Sequence, residues 1–167
     1  MNLYLLRHGL AVEPGTGGYA RDADRPLTPK GERKLWRIAE AMKALELSFD
    51  LILSSPYLRA RQTAAIIAEA LDARKRLELS DPLAPEAGAR KVLEYLNRLD
   101  PPPDDLLLVG HEPCLSQLIS LLVAGDSSLS VVMKKGGLCK LSADSLKAGG
   151  CAALEWLLTP SQMALMA

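Results

Sequence analysis

A chain of 167 residues, 49% hydrophobic and 24% charged, is long enough to bury a core and fits one domain. Twenty basic residues balance twenty acidic ones, which excludes a global field for nucleic acid or an acidic membrane, so affinity for anions has to come from local clustering. Cys114, Cys139 and Cys151, at irregular spacing, match neither a disulfide framework nor a paired zinc motif and read as small buried hydrophobes. The N-terminus lacks a basic stretch and a cleavage site, and no apolar run reaches membrane-span length, so a cytoplasmic protein is expected.

In chain order, the apolar run Leu3-Tyr4-Leu5-Leu6 closes on Arg7-His8-Gly9 and reads as a buried strand. Arg7 and His8 then sit at its C-terminal edge, where open α/β sheets place ligands. The stretch from Gly9 to Arg25 has no apolar period and is expected to form a mobile loop over that edge. Thr28-Pro29 opens a helix carrying Leu35, Ile38, Ala39, Met42 and Leu45 on one face. Residues 49–53 predict a second strand, and Ser54-Ser55-Pro56 a second cap-and-proline helix start, with the helix running over 57–71. A more polar strand is expected within 74–79, turns over 81–88 and a helix over 89–99. The triple proline at 101–103 reads as a stiff loop. Leu106 to Val109 is the most hydrophobic strand candidate and should be central; it ends in Gly110-His111-Glu112-Pro113, before a helix over about 115–123. Two strands, 138–141 and 152–158, are joined through a Gly149-Gly150 turn, and the last residues from Ser161 carry no assignment. The alternation argues a three-layer α/β/α fold with a mostly parallel central sheet, as one domain over 1–167.

The chain contains two histidines, each following an apolar strand and each beside a glycine. Two parallel strands end on the same side, so His8 and His111 can face each other across a crevice. Arg59 falls in the first turn of a predicted helix, where a cation is unfavourable unless an anion is to be held jointly by the guanidinium and the helix terminus. Arg7, Arg59 and two imidazoles at one edge suit a phosphoryl group, whose oxygens demand charge-assisted donors. His8 is the better nucleophile candidate, since neighbouring arginines disfavour its protonated form; His111 would be a second donor. No metal or other cofactor is expected.

Leu-Leu-Arg7-His8-Gly9, Ser54-Ser55-Pro56 through Arg59 to Gln62-Thr63-Ala64, and Gly110-His111-Glu112-Pro113 together resemble, in order, the three motifs of the histidine phosphatase superfamily, the clan of cofactor-dependent phosphoglycerate mutase. The likeness runs from Leu3 to roughly Leu141. The short chain and Arg25-Pro26-Leu27-Thr28 with Gly31 are most similar to its SixA-type phosphohistidine phosphatases. The resemblance implies a phosphoglycerate mutase-like fold and a covalent phosphohistidine on His8. Arg7, Arg59 and His111 would neutralise the transferring group, and Gly9 and Arg25 would be substrate contacts. Arg25 is equally well read as a surface residue beside Asp22 and Asp24. Larger members use a Glu after the second motif as proton donor. Here the candidates are Asp81 and Glu86, neither in that family's usual surroundings, and Glu112 is assigned to orienting its loop. A missing acid hurts alkyl ester hydrolysis more than it hurts phosphohistidine, whose departing imidazole takes a proton on its own ring. The expected substrate is therefore a phosphorylated histidine in a partner protein such as a phosphotransfer domain, acted on by a monomer. The alternatives are a general phosphomonoesterase for small esters and a non-catalytic phosphate-binding module. Lys134-Lys135 before Gly136-Gly137 could receive an acidic partner surface or form a solvated turn; Tyr19 and Tyr57 could line the crevice mouth or simply pack; Trp36 and Trp156 are expected in the core or half-buried.

Overall fold

The computed structural model describes residues 1–146 and 149–167. Strand and helix alternate as β1 (Asn2–Arg7), α1 (Pro29–Ala44), β2 (Leu51–Ser54), α2 (Leu58–Ala70), β3 (Leu77–Leu79), α3 (Ala89–Leu96), β4 (Asp105–Gly110) and α4 (Cys114–Val123). Two strands, β5 (Leu138–Ala143) and β6 (Ala152–Leu158), and a one-turn helix α5 (Pro160–Met163) follow. The sheet order is β3-β2-β4-β1-β5-β6; β3, β2, β4 and β1 run parallel, and β5 and β6 are added through antiparallel pairings. This is the mostly parallel three-layer α/β/α arrangement, with β4 central as its apolar run predicts.

The pleat explains how continuous apolar strands serve two cores. Leu3 and Leu5, with Leu106 and Leu108, pack among Val92, Leu93, Leu115 and Leu118 of α3 and α4. Tyr4 and Leu6, with Leu107 and Val109, pack among Leu35, Ile38, Ala64 and Ile67 of α1 and α2. A slip of one residue would exchange the two rows. At roughly 1.5–3 kcal/mol per buried large aliphatic side chain, packing on both faces holds the register firmly.

That register places the site. Leu6 of β1 and Ser54 of β2 both pair with Val109 of β4, and Arg7 pairs with Gly110. The next residues of each strand therefore leave the sheet side by side: His8 N–H donates to the Gly110 carbonyl (3.0 Å) and Ser55 N–H to that of Val109 (2.9 Å). On the other flank of β1, Gly136 N–H donates to the carbonyls of Arg7 (3.0 Å) and His8 (3.1 Å), and Arg7 N–H to Gly137 (3.1 Å). This turn needs glycine: Gly136 has φ +80°, and a Cβ on Gly137 would lie 2.8 Å from the Lys134 carbonyl oxygen.

Thr28 caps α1, its hydroxyl accepting from Gly31 N–H at 3.0 Å, with Pro29 in the first turn. The second helix start differs from expectation. Pro56 lies outside α2, whose N-cap is Tyr57, and no side chain caps it; Ser55 is drawn into the site instead. The strand at 74–79 is shorter than predicted, because residues 74–76 form a 3-10 turn and only 77–79 pair with β2. Trp36 lies on the outer side of α1, 40% exposed, because the helix buries Leu35, Ile38 and Met42 instead. Within residues 9–25, Ala11 bridges to Leu27 and residues 22–24 form a 3-10 turn, while residues 13–22 are exposed. Cys114 and Cys139 are buried, as a hydrophobic role requires, and burial pushes their thiols up to about 11 and about 12. No helix among the described residues is long and apolar enough to cross a membrane.

Gly31 lets α1 press against the chain leaving β1, since a Cβ there would stand 2.1 Å from the Leu10 carbonyl oxygen. Gly31→Ala should lower stability by about 1–3 kcal/mol through this overpacking, read as a reduced urea midpoint with an unchanged m-value.

Candidate active site

His8 and His111 face each other across the ends of β1 and β4, ring centroids 5.0 Å apart at 53°. His8 is 6% exposed. Its Nδ1 lies 2.7 Å from the Gly9 carbonyl oxygen, which can only accept, so Nδ1 carries the proton and Nε2 keeps its lone pair. Gly9 N–H donates to Thr63 Oγ1 at 3.0 Å, and that hydroxyl donates to the Arg59 carbonyl at 2.7 Å. Gln62 Oε1 accepts from Leu27 N–H (2.8 Å). The Gln-Thr pair of the second motif thus fastens both the strand end and the loop to α2. Gly9 offers close packing, since a Cβ would sit 2.7 Å from Leu35 Cδ1, and its N–H is already taken by Thr63.

Arg59, second residue of α2 and 4% exposed, is the hub. Its Nε–H points at His8 Nε2 (3.3 Å), Nη1 donates to the Asp22 carbonyl (2.8 Å) and Nη2 to Asp22 Oδ2 (2.8 Å). Arg25 donates to Asp22 Oδ1 (2.7 Å from Nε) and to the Val12 carbonyl, so it reaches the histidines only through Asp22. Arg21 pairs with Asp24 in the same turn. Arg7 donates from Nη1 to the Met133 carbonyl (2.7 Å), while its buried Nε has no partner. Asp22, Ser55 and the Met133 carbonyl carry no signal in the sequence that separates them from ordinary loop residues.

His111 Nε2 lies 2.8 Å from Ser55 Oγ, and its buried Nδ1 has no partner. Tyr57 stands edge-on to His111 (5.4 Å between centroids) with the Arg59 guanidinium over its ring (5.2 Å), so it does line the crevice. Tyr19 is exposed. Glu86 accepts from Tyr57 O–H (3.1 Å), which leaves it one side chain away from the histidines; Asp81 begins a separate 3-10 turn. Glu112 accepts from Ser116 N–H (3.1 Å) in the first turn of α4, which orients its loop. Lys135 pairs with Glu13 at 3.3 Å. Among the described residues, no three His, Cys, Asp or Glu side chains converge as metal ligands.

Burial is the main force on both imidazoles. It lowers His8 to about 3, opposed by the Gly9 hydrogen bond and helped by the charges of Arg59, Arg7 and Lys135. It lowers His111 to about 3, with His8 and Arg59 adding to it. The neutral state expected of His8 from the neighbouring arginines agrees with its lowered value, but desolvation contributes more than they do. Burial alone would raise Asp22, yet hydrogen bonds from Arg25 and Arg59 outweigh it and hold the carboxyl below the usual carboxylate range.

Two neutral imidazoles, one with its Nε2 lone pair turned to a buried guanidinium, form an arrangement suited to an electrophilic oxyanion. A family model described as the histidine phosphatase superfamily (branch 1) matches residues 3–84. The chain is 38% identical over 148 residues to an uncharacterised protein of Picosynechococcus sp., covering 88% of each chain. It is 28% identical to phosphohistidine phosphatase SixA of Escherichia coli, over 76% of this chain and 77% of that one. Its fold superposes on the structure of the protein histidine phosphatase SixA complexed with tungstate with a TM-score of 0.83 at 25% identity, covering 96% and 98% of the two chains. The chain belongs to the histidine phosphatase superfamily. Within it the chain is SixA-like, and it is an enzyme of the phosphatase class. The superfamily's phosphoglycerate mutase-like fold is the one described above.

The depressed imidazoles link stability of this histidine phosphatase to pH. A folded value of about 3 against 6.5 means the unfolded chain binds each proton first. Stability is therefore intact above pH 6.5 and lost as pH falls towards 3, by about 1.4 kcal/mol per pH unit for each imidazole. Neither ring should titrate by NMR between about pH 5 and 8. A variant with both histidines changed to Gln should show a flatter fall in urea midpoint from pH 6.5 to about 5 than the parent, since free carboxylates titrate lower.

Proposed function

We propose that the protein is a phosphohistidine phosphatase that removes phosphate from a phosphorylated histidine of a partner protein through a phosphohistidine formed on its own His8. The observation that carries this reading is the tautomer of His8: Nδ1–H is bound to Gly9 O at 2.7 Å, which leaves the lone pair on Nε2, where the Arg59 Nε–H meets it at 3.3 Å. In the first step the Nε2 lone pair attacks phosphorus in line, the P–N bond of the substrate breaks, and its pair returns to the departing imidazole, which carries a proton on its other nitrogen. In the second, water attacks the phosphohistidine, its P–N bond breaks towards Nε2, the water proton passes to phosphate or solvent, and His8 returns neutral with Nδ1–H still on Gly9.

Arg59 and Arg7 supply fixed positive charge to the phosphoryl oxygens. Two buried polar atoms without a partner, Arg7 Nε and His111 Nδ1, are satisfied when an oxyanion binds. An N–P bond is preferred over an ester because neither Asp81 nor Glu86 hydrogen-bonds to either histidine. An alkoxide leaving group needs a proton donor at the histidines, and Glu86 is bound to the Tyr57 hydroxyl instead, whereas imidazole needs none. The openness to a protein-borne substrate is supported by the exposed turn at 22–24, which has no buried residue.

The parent and His8→Ala are incubated without metal with a phosphohistidine-bearing phosphotransfer domain and with p-nitrophenyl phosphate. Phosphate release from the domain, at a kcat/KM at least about 100-fold above that for the ester and lost by a factor of about 10³ or more in His8→Ala, is the expected result. Acid quench of the parent during turnover should trap acid-labile, base-stable phosphate on the enzyme. Fast ester hydrolysis with an inert phosphohistidine would replace this reading by a phosphomonoesterase. Phosphate binding without either reaction would replace it by a binding module.

A further inference from the structure

Arg59 does not present an open edge to a phosphoryl group. While Nε–H meets His8 Nε2, both terminal nitrogens are held by Asp22, one by its carbonyl and one by its carboxylate, each at 2.8 Å. The other carboxylate oxygen is held by Arg25, 2.6 Å from Nη2 and 2.7 Å from Nε. A carboxylate and a phosphoryl group offer a guanidinium the same kind of ligand, anionic oxygens that accept its N–H fork. Asp22 thus fills, from within the chain, the edge of Arg59 that a phosphoryl group would use. It can also leave. Its side chain is 50% exposed, and the 22–24 turn buries no residue. The turn is held by polar contacts, namely Asp22 with Arg59 and Arg25, and Arg21 with Asp24.

We propose that Asp22 is a specificity-determining residue, a resident carboxylate that substrate must displace from Arg59 and that thereby disfavours small phosphate esters relative to a protein-borne phosphohistidine. The inference rests on the phosphoryl-site reading above. A small ester exchanges one anion for another on Arg59 and brings little else. Its apparent affinity is reduced by the fraction of molecules in which Arg59 is already held. A protein substrate meets the same obstacle but adds contact surface around the mouth, which offsets it. The device selects by obstructing the wrong ligand rather than by adding contacts to the right one. Asp22 touches Arg59, not His8, so it acts on binding and not on the reacting nitrogen.

The test measures inorganic phosphate binding by calorimetry at pH 7 for the parent, Asp22→Asn, Asp22→Ala and the Asp22→Asn/Arg25→Gln double variant, together with steady-state kinetics on both substrates. Removing the competing charge should tighten phosphate binding about tenfold in both single variants, the factor that corresponds to about 1.4 kcal/mol. KM for p-nitrophenyl phosphate should fall by a similar factor at nearly constant kcat, and KM for the phosphotransfer domain should move by less than about threefold. Equal or weaker phosphate binding in both single variants, with unchanged melting temperatures, overturns the proposal, because Asp22 would then hold Arg59 in place for substrate. An equal gain for ester and protein substrates overturns it as well. So does tightening that disappears in the double variant, since Arg25 and not a released Arg59 would then bind phosphate. A parent that neither binds phosphate nor dephosphorylates the domain removes the phosphoryl-site reading itself, whereas normal turnover of the domain beside an unresponsive Asp22→Asn removes only this inference.

Discussion

The parallel register of β1, β4 and β2 is the constraint on which the rest of the molecule depends. Leu6, Val109 and Ser54 lie in one row across the sheet, so the residues that follow them leave at one height. A slip of a single residue would turn His8 or His111 into a core and move a Leu or Val to the crevice. The two apolar cores that resist such a slip are therefore also what sets the distance between the imidazoles. Residues far apart in sequence meet only when this sheet is complete, so the site is a property of the whole fold and not of any one motif.

The second constraint is electrostatic. Burying two imidazoles in contact with guanidinium groups is tolerable only if the imidazoles stay neutral and the guanidiniums find acceptors. Desolvation secures the first condition. Asp22 and the Met133 carbonyl secure the second for Arg59 and Arg7. Arg59 in the first turn of α2 would be repelled by the helix terminus, and the Asp22 carboxylate compensates on the spot. Neutral base and fixed cation then sit at hydrogen-bond distance.

Much of this was legible in the sequence. Strand-length apolar runs ending in charge and glycine mark β1 and β4, and the two histidines at matching junctions bring His8, Arg7, Arg59 and His111 to one edge, as the sheet does. Where the reading failed, a competing use of the same residue type explains it. Serine before proline is a common helix cap, but Ser55 is required by His111, so α2 starts later without a side-chain cap. The 9–25 loop has no apolar period, and its anchors, the ion pairs of Asp22 and the hydrogen bond from Leu27 to Gln62, are polar contacts that periodicity does not register. Arg25 and Asp22 were both visible as charges, but which arginine faces the imidazole depends on three-dimensional placement: Arg59 does, and Arg25 supports it from behind Asp22.

Three of the four side chains at the crevice are oriented by main-chain carbonyls: His8 by Gly9, Arg7 by Met133 and Arg59 by Asp22. A carbonyl oxygen survives every substitution at its own residue. For His8 and Arg7 the orientation is therefore written in the path of the backbone, while Arg59 depends on the Asp22 carboxylate as well. Side-chain replacement at position 133 leaves its acceptor in place, and the chain around the crevice can diverge widely in sequence while it keeps the same curve.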